Sequence, residues 1–180
     1  QDDYSGVIST ATATPNRAEA DPVETARGLG AVLVPYLAHQ RLVEAEDAFA
    51  SLSRLRLPDV VSLQSLGDRF EYLGLSSQWQ RAIALLRHSP MTAVSEASAW
   101  SLMNTAVGLA LVMREANRAD YGNHALGASL SWTTPWGNLE LTAWDTVVHA
   151  YDVMTGFVRG IAQRFDARNG NNGVSYRVEM

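Results

Sequence analysis

The sequence predicts a mainly α protein, a helical bundle that carries one small β-hairpin. Two stretches, about 92–117 and 143–168, repeat apolar residues every three or four positions, which is the spacing of a buried helix face. Residues 128–142 instead alternate apolar and polar side chains around a Pro-Trp-Gly-Asn turn, which is typical of a hairpin. With 180 residues, the chain has the size of one ordinary domain.

A further helix, the first of the domain, is expected over about 23–56. Asp21, Pro22 and Glu24 supply an N-cap, a proline at the first helical position and an acid in the first turn. Pro35 is expected to kink or break this helix, because proline has no N–H to donate and its ring clashes with the preceding turn. The most regular part should therefore run from about 36 to 55.

Residues 1–22 form a predicted flexible N-terminal arm. Residues 8–15 carry small and hydroxyl side chains, which bury too little apolar surface to offset the entropy of ordering the segment. An arm of this kind can become ordered against a partner. The single helical domain is expected over 23–168, and a flexible turn with a C-terminal tail over 169–180.

The middle of the chain should contain several helices of different length. Between 59 and 90 the sequence predicts short helices with breaks at Gly67 and Gly74. The long helix of 92–117 follows, with Thr92 or Ser95 as its cap. Trp100 and Trp144 fall on the apolar stripes of the two long helices, so both are expected in the core.

Charge and residue usage exclude several classes of function. All 14 basic residues are arginine and there is no cysteine, which excludes a catalytic lysine, disulfides and thiolate metal sites. A net charge of -5 with scattered arginines argues against nucleic-acid binding. No segment reaches the roughly 20 apolar residues of a membrane span. The polar, acidic start is unlike a signal peptide, so we expect a cytoplasmic protein, or a virion protein if the chain is viral.

One group of side chains has catalytic or metal-binding character. Asp145, His149 and Asp152 are spaced four and three residues apart, which makes them neighbours on a helix. A histidine flanked by carboxylates can be a metal ligand or a general base. The same three residues can equally form a solvated helix face on which the carboxylates favour protonation of the histidine.

The segment around these residues resembles a motif of the DinB-like helical bundles, a family that includes the mycothiol-dependent maleylpyruvate isomerases. The similar stretch begins with Thr-Pro-Trp-Gly-Asn at 134–138 and continues with Asp-Thr-Val-Val-His-Ala-Tyr-Asp-Val-Met-Thr-Gly at 145–156. The resemblance implies an enzyme with one divalent metal ion held by Asp145 and His149. His39, on an earlier helix, would be the remaining ligand. This is the alternative to the hypothesis that follows.

The composition and the chain ends favour a non-enzymatic structural or assembly protein without a cofactor. The chain is poor in charge and rich in small and apolar residues, which suits a large contact surface. The expected partner is a protein, either another copy of the chain or a larger shell, as for a viral capsid or capsid-surface protein. Either end of the chain is a candidate to pair with a neighbour's sheet edge or groove. The residues expected to make contact are two tryptophans of the hairpin and three residues of the tail: Trp132, Trp136, Val174, Tyr176 and Val178.

Overall fold

The structure is mainly helical with one small antiparallel hairpin, which confirms the predicted fold class. The computed structural model of the chain describes residues 21–57, 59–89, 97–170 and 172–175. The predicted arm therefore lies outside the described residues as far as residue 20, and so does the tail beyond Ser175. Among the described helices, none is long and apolar enough to cross a bilayer.

The predicted kinked N-terminal helix is in fact two helices, α1 (Pro22–Ala38) and α2 (Leu42–Arg54). Asp21 caps α1 by accepting a hydrogen bond from the N–H of Val23 at 3.0 Å. Pro35 does not break α1, which continues for another turn beyond it. The break comes at Gln40, where a φ of 58° places the backbone in the left-handed region and ends the helix.

Helix α3 (Asp59–Leu75) runs without interruption, so the breaks predicted at Gly67 and Gly74 are wrong. Both glycines lie where α3 packs against a later helix, α5 (Ala99–Arg118). A Cβ atom on Gly74 would lie 2.7 Å from the Cβ of Leu111, so the missing side chain allows the two helices to approach closely. The short helix α4 (Trp79–His88) lies between α3 and α5 in the sequence.

Helix α5 is capped by Ser98, whose side chain accepts a hydrogen bond from the N–H of Ser101. The predicted caps Thr92 and Ser95 lie outside the described residues. The hairpin consists of β1 (Leu130–Thr134) and β2 (Gly137–Leu141), as the alternating pattern indicated.

The last helix, α6 (Val147–Asn169), begins four residues later than predicted. Thr146 is its N-cap and accepts a hydrogen bond from the N–H of His149 at 3.2 Å. At the other end, Gly170 adopts a φ of 66° and closes the helix in the left-handed conformation that glycine tolerates best.

The elements pack in a consecutive order across the domain. Helix α1 packs on α2 and α3, α3 on α5, α5 on α6, and α6 on β2 of the hairpin. Side chains from all of these layers form one continuous apolar core. Its fully buried members include Leu33, Leu52, Phe70, Leu73, Leu102, Leu109, Met113, Trp132, Leu141 and Met154.

Candidate functional site

The most exposed large apolar side chain of the described residues is Trp144, in the turn that joins β2 to α6. Its relative exposure is 87%. The backbone is held on both sides of it: the carbonyl of Ala143 accepts from Gly127 at 2.9 Å, and that of Asp145 accepts from Leu126 at 2.8 Å. The indole is therefore presented to solvent from a backbone with little freedom to move.

Asp145 closes this turn and does not lie on the helix, which corrects the prediction. Its carboxylate accepts hydrogen bonds from the backbone N–H of Thr142 at 2.6 Å and from the Thr142 hydroxyl at 3.0 Å. These two hydrogen bonds lower the pKa of Asp145, and the bond from the backbone N–H has the larger effect. The nearby His149 adds a smaller electrostatic contribution in the same direction. The geometry gives Asp145 a structural task, the stabilisation of the Trp144 turn.

His149 lies on the first turn of α6, with its Nε2 3.8 Å from Oδ1 of Asp145. Asp152 is exposed one turn further along α6. His39 is the C-cap of α1, which packs against α2 and α3. Among the described residues, which include all these side chains, no three His, Asp or Glu are grouped to hold a metal ion.

The tryptophans are distributed differently from the prediction. Trp132, expected to form an exposed contact surface, is 1% exposed and packs edge-on against Phe157 with ring centroids 5.6 Å apart. Conversely, Trp100 and Trp144, expected in the core, are 52% and 87% exposed. Trp100 is the second residue of α5, and Trp144 precedes α6, so each lies at the end of an element. At such positions the helical repeat of apolar residues no longer predicts which side chains are buried.

Two further residues of the predicted contact set are packed within the protomer. Trp136 is half-buried and stacks on Phe165 of α6, with 6.2 Å between the ring centroids. Val174 is partly buried against the core. The remaining two, Tyr176 and Val178, lie outside the described residues.

The start of the C-terminal tail is fixed by Asp166, which sequence reasoning did not single out for this role. Asp166 is 6% exposed and accepts the backbone N–H groups of Val174 and Ser175 at 2.9 and 2.8 Å. Hydrogen bonds lower the pKa of this carboxyl. The bond from the Ser175 side chain has the largest effect, and the backbone bonds from Val174 and Ser175 add to it. The tail therefore leaves the domain from a defined point beside the end of α6.

A second feature that the sequence did not indicate is a pair of half-buried acids on α3, Asp68 and Glu71. Asp68 lies against Gly30 of α1, in a space that a side chain at position 30 would fill. Burial, with a further contribution from the charge of Glu71, raises the pKa of Asp68 to about 6. Burial also raises the pKa of Glu71.

A scan against protein-family models and searches of the curated proteins and of the solved structures find no match to this chain. The likeness to the DinB-like bundles therefore stays a local one, within residues 134–156. What the described residues offer for function is one exposed tryptophan on a hydrogen-bonded turn and a hairpin that packs on α6 at the end of the stack of helices.

Proposed function

We propose that this protein is a non-enzymatic structural protein that assembles with further copies of itself through apolar contacts centred on Trp144. The observation that carries the proposal is the exposure of this indole on a hydrogen-bonded turn. Tryptophan is among the residues that contribute most to protein–protein binding when they become buried at the centre of an interface. A backbone held in place before binding loses little conformational entropy when the partner arrives.

Other apolar side chains of the described residues are exposed outside the Trp144 turn. Trp100 is 52% exposed, and Leu42 and Val43, at the start of α2, are 57% and 73% exposed. Single exposed apolar residues are common on soluble proteins, whereas tryptophan is highly buried on average. Because the charged fraction of the chain is only 18%, few charges oppose the contact of two such surfaces.

The test is the solution mass of the full chain, measured by light scattering on a sizing column over a concentration series. We expect a discrete oligomer that dissociates on dilution, and a Trp144→Ala variant whose dissociation constant is about tenfold higher or more, in line with the loss of a hot-spot side chain. Trp100→Ala is the matched control. If the association is unspecific, the loss of either tryptophan should weaken it equally.

A wild-type chain that stays at 19.6 kDa at every concentration contradicts this proposal. Within the class of assembly proteins, the sequence favours a capsid or capsid-surface protein located in the virion. Electron microscopy of the concentrated protein tests this narrower assignment, because such a protein should form closed or regular particles.

A further inference from the structure

The outer edge of the hairpin is open in the described part of the chain. Thr134 and Gly137 flank a two-residue turn, so they form a hydrogen-bonded pair, and such pairs alternate with non-hydrogen-bonded ones along the strands. Ser131 and Thr133 therefore belong to non-hydrogen-bonded pairs, and their N–H and C=O groups point away from β2. Among the described residues, no group donates to or accepts from these outward backbone atoms.

The two edges of the hairpin differ in how well they suit a further strand. β2 packs against α6 and carries Gly137, Asn138 and the charged Glu140, which are residue types that discourage edge pairing. β1 presents the neutral hydroxyl residues Ser131 and Thr133 on its exposed face, while Leu130 and Trp132 face the core. A two-stranded hairpin also gains stability when a third strand is added.

The N-terminal arm has the composition that this edge requires. Residues 5–16 contain no charged side chain, and the first proline of the chain is Pro15. Read as a strand, residues 7–14 place Ile8, Thr10, Thr12 and Thr14 on one face, all of them β-branched. Hydroxyl residues pair favourably with one another across neighbouring strands.

We propose that residues 7–14 of one copy add as a third strand to the outer edge of β1 of a neighbouring copy. The arm joins the domain at α1, which packs on α2 and α3, whereas the hairpin packs on α6, at the other end of the packing order. A neighbouring copy as the acceptor also agrees with the self-assembly proposed above.

The arm and the β1 edge are different surfaces of the same chain. Two copies can therefore exchange arms in a closed dimer, or each copy can pass its arm to the next in a ring or an open chain. This inference rests on the proposed function, self-assembly, and adds to it the segment and the strand edge that join.

The test compares prolines placed on the two edges of the hairpin in the full chain. Ser131→Pro removes an outward N–H from β1, and Glu140→Pro removes the outward N–H of its cross-strand partner on β2. Neither change removes a hydrogen bond within the hairpin, because a proline is tolerated where a strand N–H faces outward. We expect the dissociation constant of the oligomer to rise about tenfold or more for Ser131→Pro and to stay unchanged for Glu140→Pro.

The arm is tested separately, in case Ser131→Pro disturbs the fold. The double variant Ala11→Pro/Thr12→Pro blocks pairing in either register, because adjacent residues point their N–H groups in opposite directions, whereas Arg17→Pro/Ala18→Pro leaves the proposed strand intact. Only the first should weaken assembly.

The inference is overturned, and the proposed function is not, if the wild type assembles while Ser131→Pro or the 11/12 variant assembles equally well. Equal weakening by Glu140→Pro also overturns it. A wild type that remains monomeric overturns both.

Discussion

Gly108 of α5 lies directly against the backbone of α3 at Glu71. A Cβ atom on Gly108 would be 2.8 Å from the backbone nitrogen of Glu71 and 2.9 Å from the carbonyl oxygen of Gly67. Gly67 has the complementary position on α3, where an added Cβ would lie 3.1 Å from the backbone nitrogen of Thr105. The main helix pair of the domain is thus held at a separation that only glycine permits.

Gly108→Ala is expected to lower the free energy of unfolding by about 1–3 kcal/mol, the range found for overpacked cores. The better helix propensity of alanine, about 1 kcal/mol, offsets part of the cost. The clash nevertheless dominates, because backbone atoms cannot turn aside as a side chain can. Urea unfolding measures the difference.

Gly156→Ala on α6 is the matched control, since among the described residues only the surrounding turns of its own helix lie within 4 Å of an added Cβ. This change should raise the free energy of unfolding by about 0.5–1 kcal/mol. Equal effects of the two alanines would show that the α3–α5 contact is looser than described.

Trp132 in β1 and Trp144 after β2 should differ strongly in their response to truncation. Trp132→Ala removes a side chain that is 1% exposed and should cost about 3–5 kcal/mol of stability. Trp144→Ala, at 87% exposure, should change the stability of the protomer by less than about 0.5 kcal/mol. Chemical unfolding below the concentration at which the protein self-associates separates this effect from assembly. A stable Trp132→Ala variant would contradict the burial of this ring.

The element types could be predicted from residue periodicity, because a helix and a strand repeat their apolar residues at different intervals. The end of an element depends on single caps, and this is where the predictions failed. Thr146 starts α6, which leaves Trp144 and Asp145 in a turn instead of on the helix. Gly67 and Gly74 could not be distinguished from helix breaks, because they allow the close approach of α5, which lies far away in the sequence. The surroundings of Asp68 depend on α1 in the same way.

The raised pKa of Asp68, about 6, makes the stability of the protein depend on pH. The unfolded chain releases this proton near pH 4 and the folded chain near pH 6. Between these values the folded state binds more protons, so stability falls as pH rises. The full effect at neutral pH is on the order of 3 kcal/mol.

Asp68→Asn should therefore be more stable than the wild type at pH 7 and should show a flatter profile between pH 4 and 6. Thermal unfolding across this range measures both effects. Asp47→Asn, the same substitution at an exposed position of α2, is the control. The pKa of Glu71 is also raised, so Glu71 likewise makes stability fall as pH rises. This contribution remains in the Asp68→Asn variant. If Asp68→Asn lowers stability at pH 7, the half-buried carboxylate is stabilised by a partner, for which the neighbouring Arg69 is the candidate.

Asp166→Asn should release the start of the C-terminal tail, because an amide offers only one acceptor oxygen to the two N–H groups of Val174 and Ser175. Hydrogen exchange at these two amides should become faster, while the core of α6 stays protected. Asp152→Asn, an exposed change on the same helix, should leave the exchange unaltered. Because the pKa of Asp166 is lowered, its stabilising effect is present at neutral pH and is lost as the pH falls through that value.

Asp145 and His149 should not bind a divalent metal ion by themselves. The Asp145 carboxylate is already engaged by Thr142, and the described residues bring no third His, Asp or Glu to the pair. Metal sites of this type use at least three protein ligands. Calorimetric titration of the full chain with Zn²⁺ should therefore show no one-to-one binding near a Kd of about 1 μM. Stoichiometric binding that His149→Ala removes and His88→Ala retains would instead restore the metal-dependent alternative, with a ligand from the remainder of the chain.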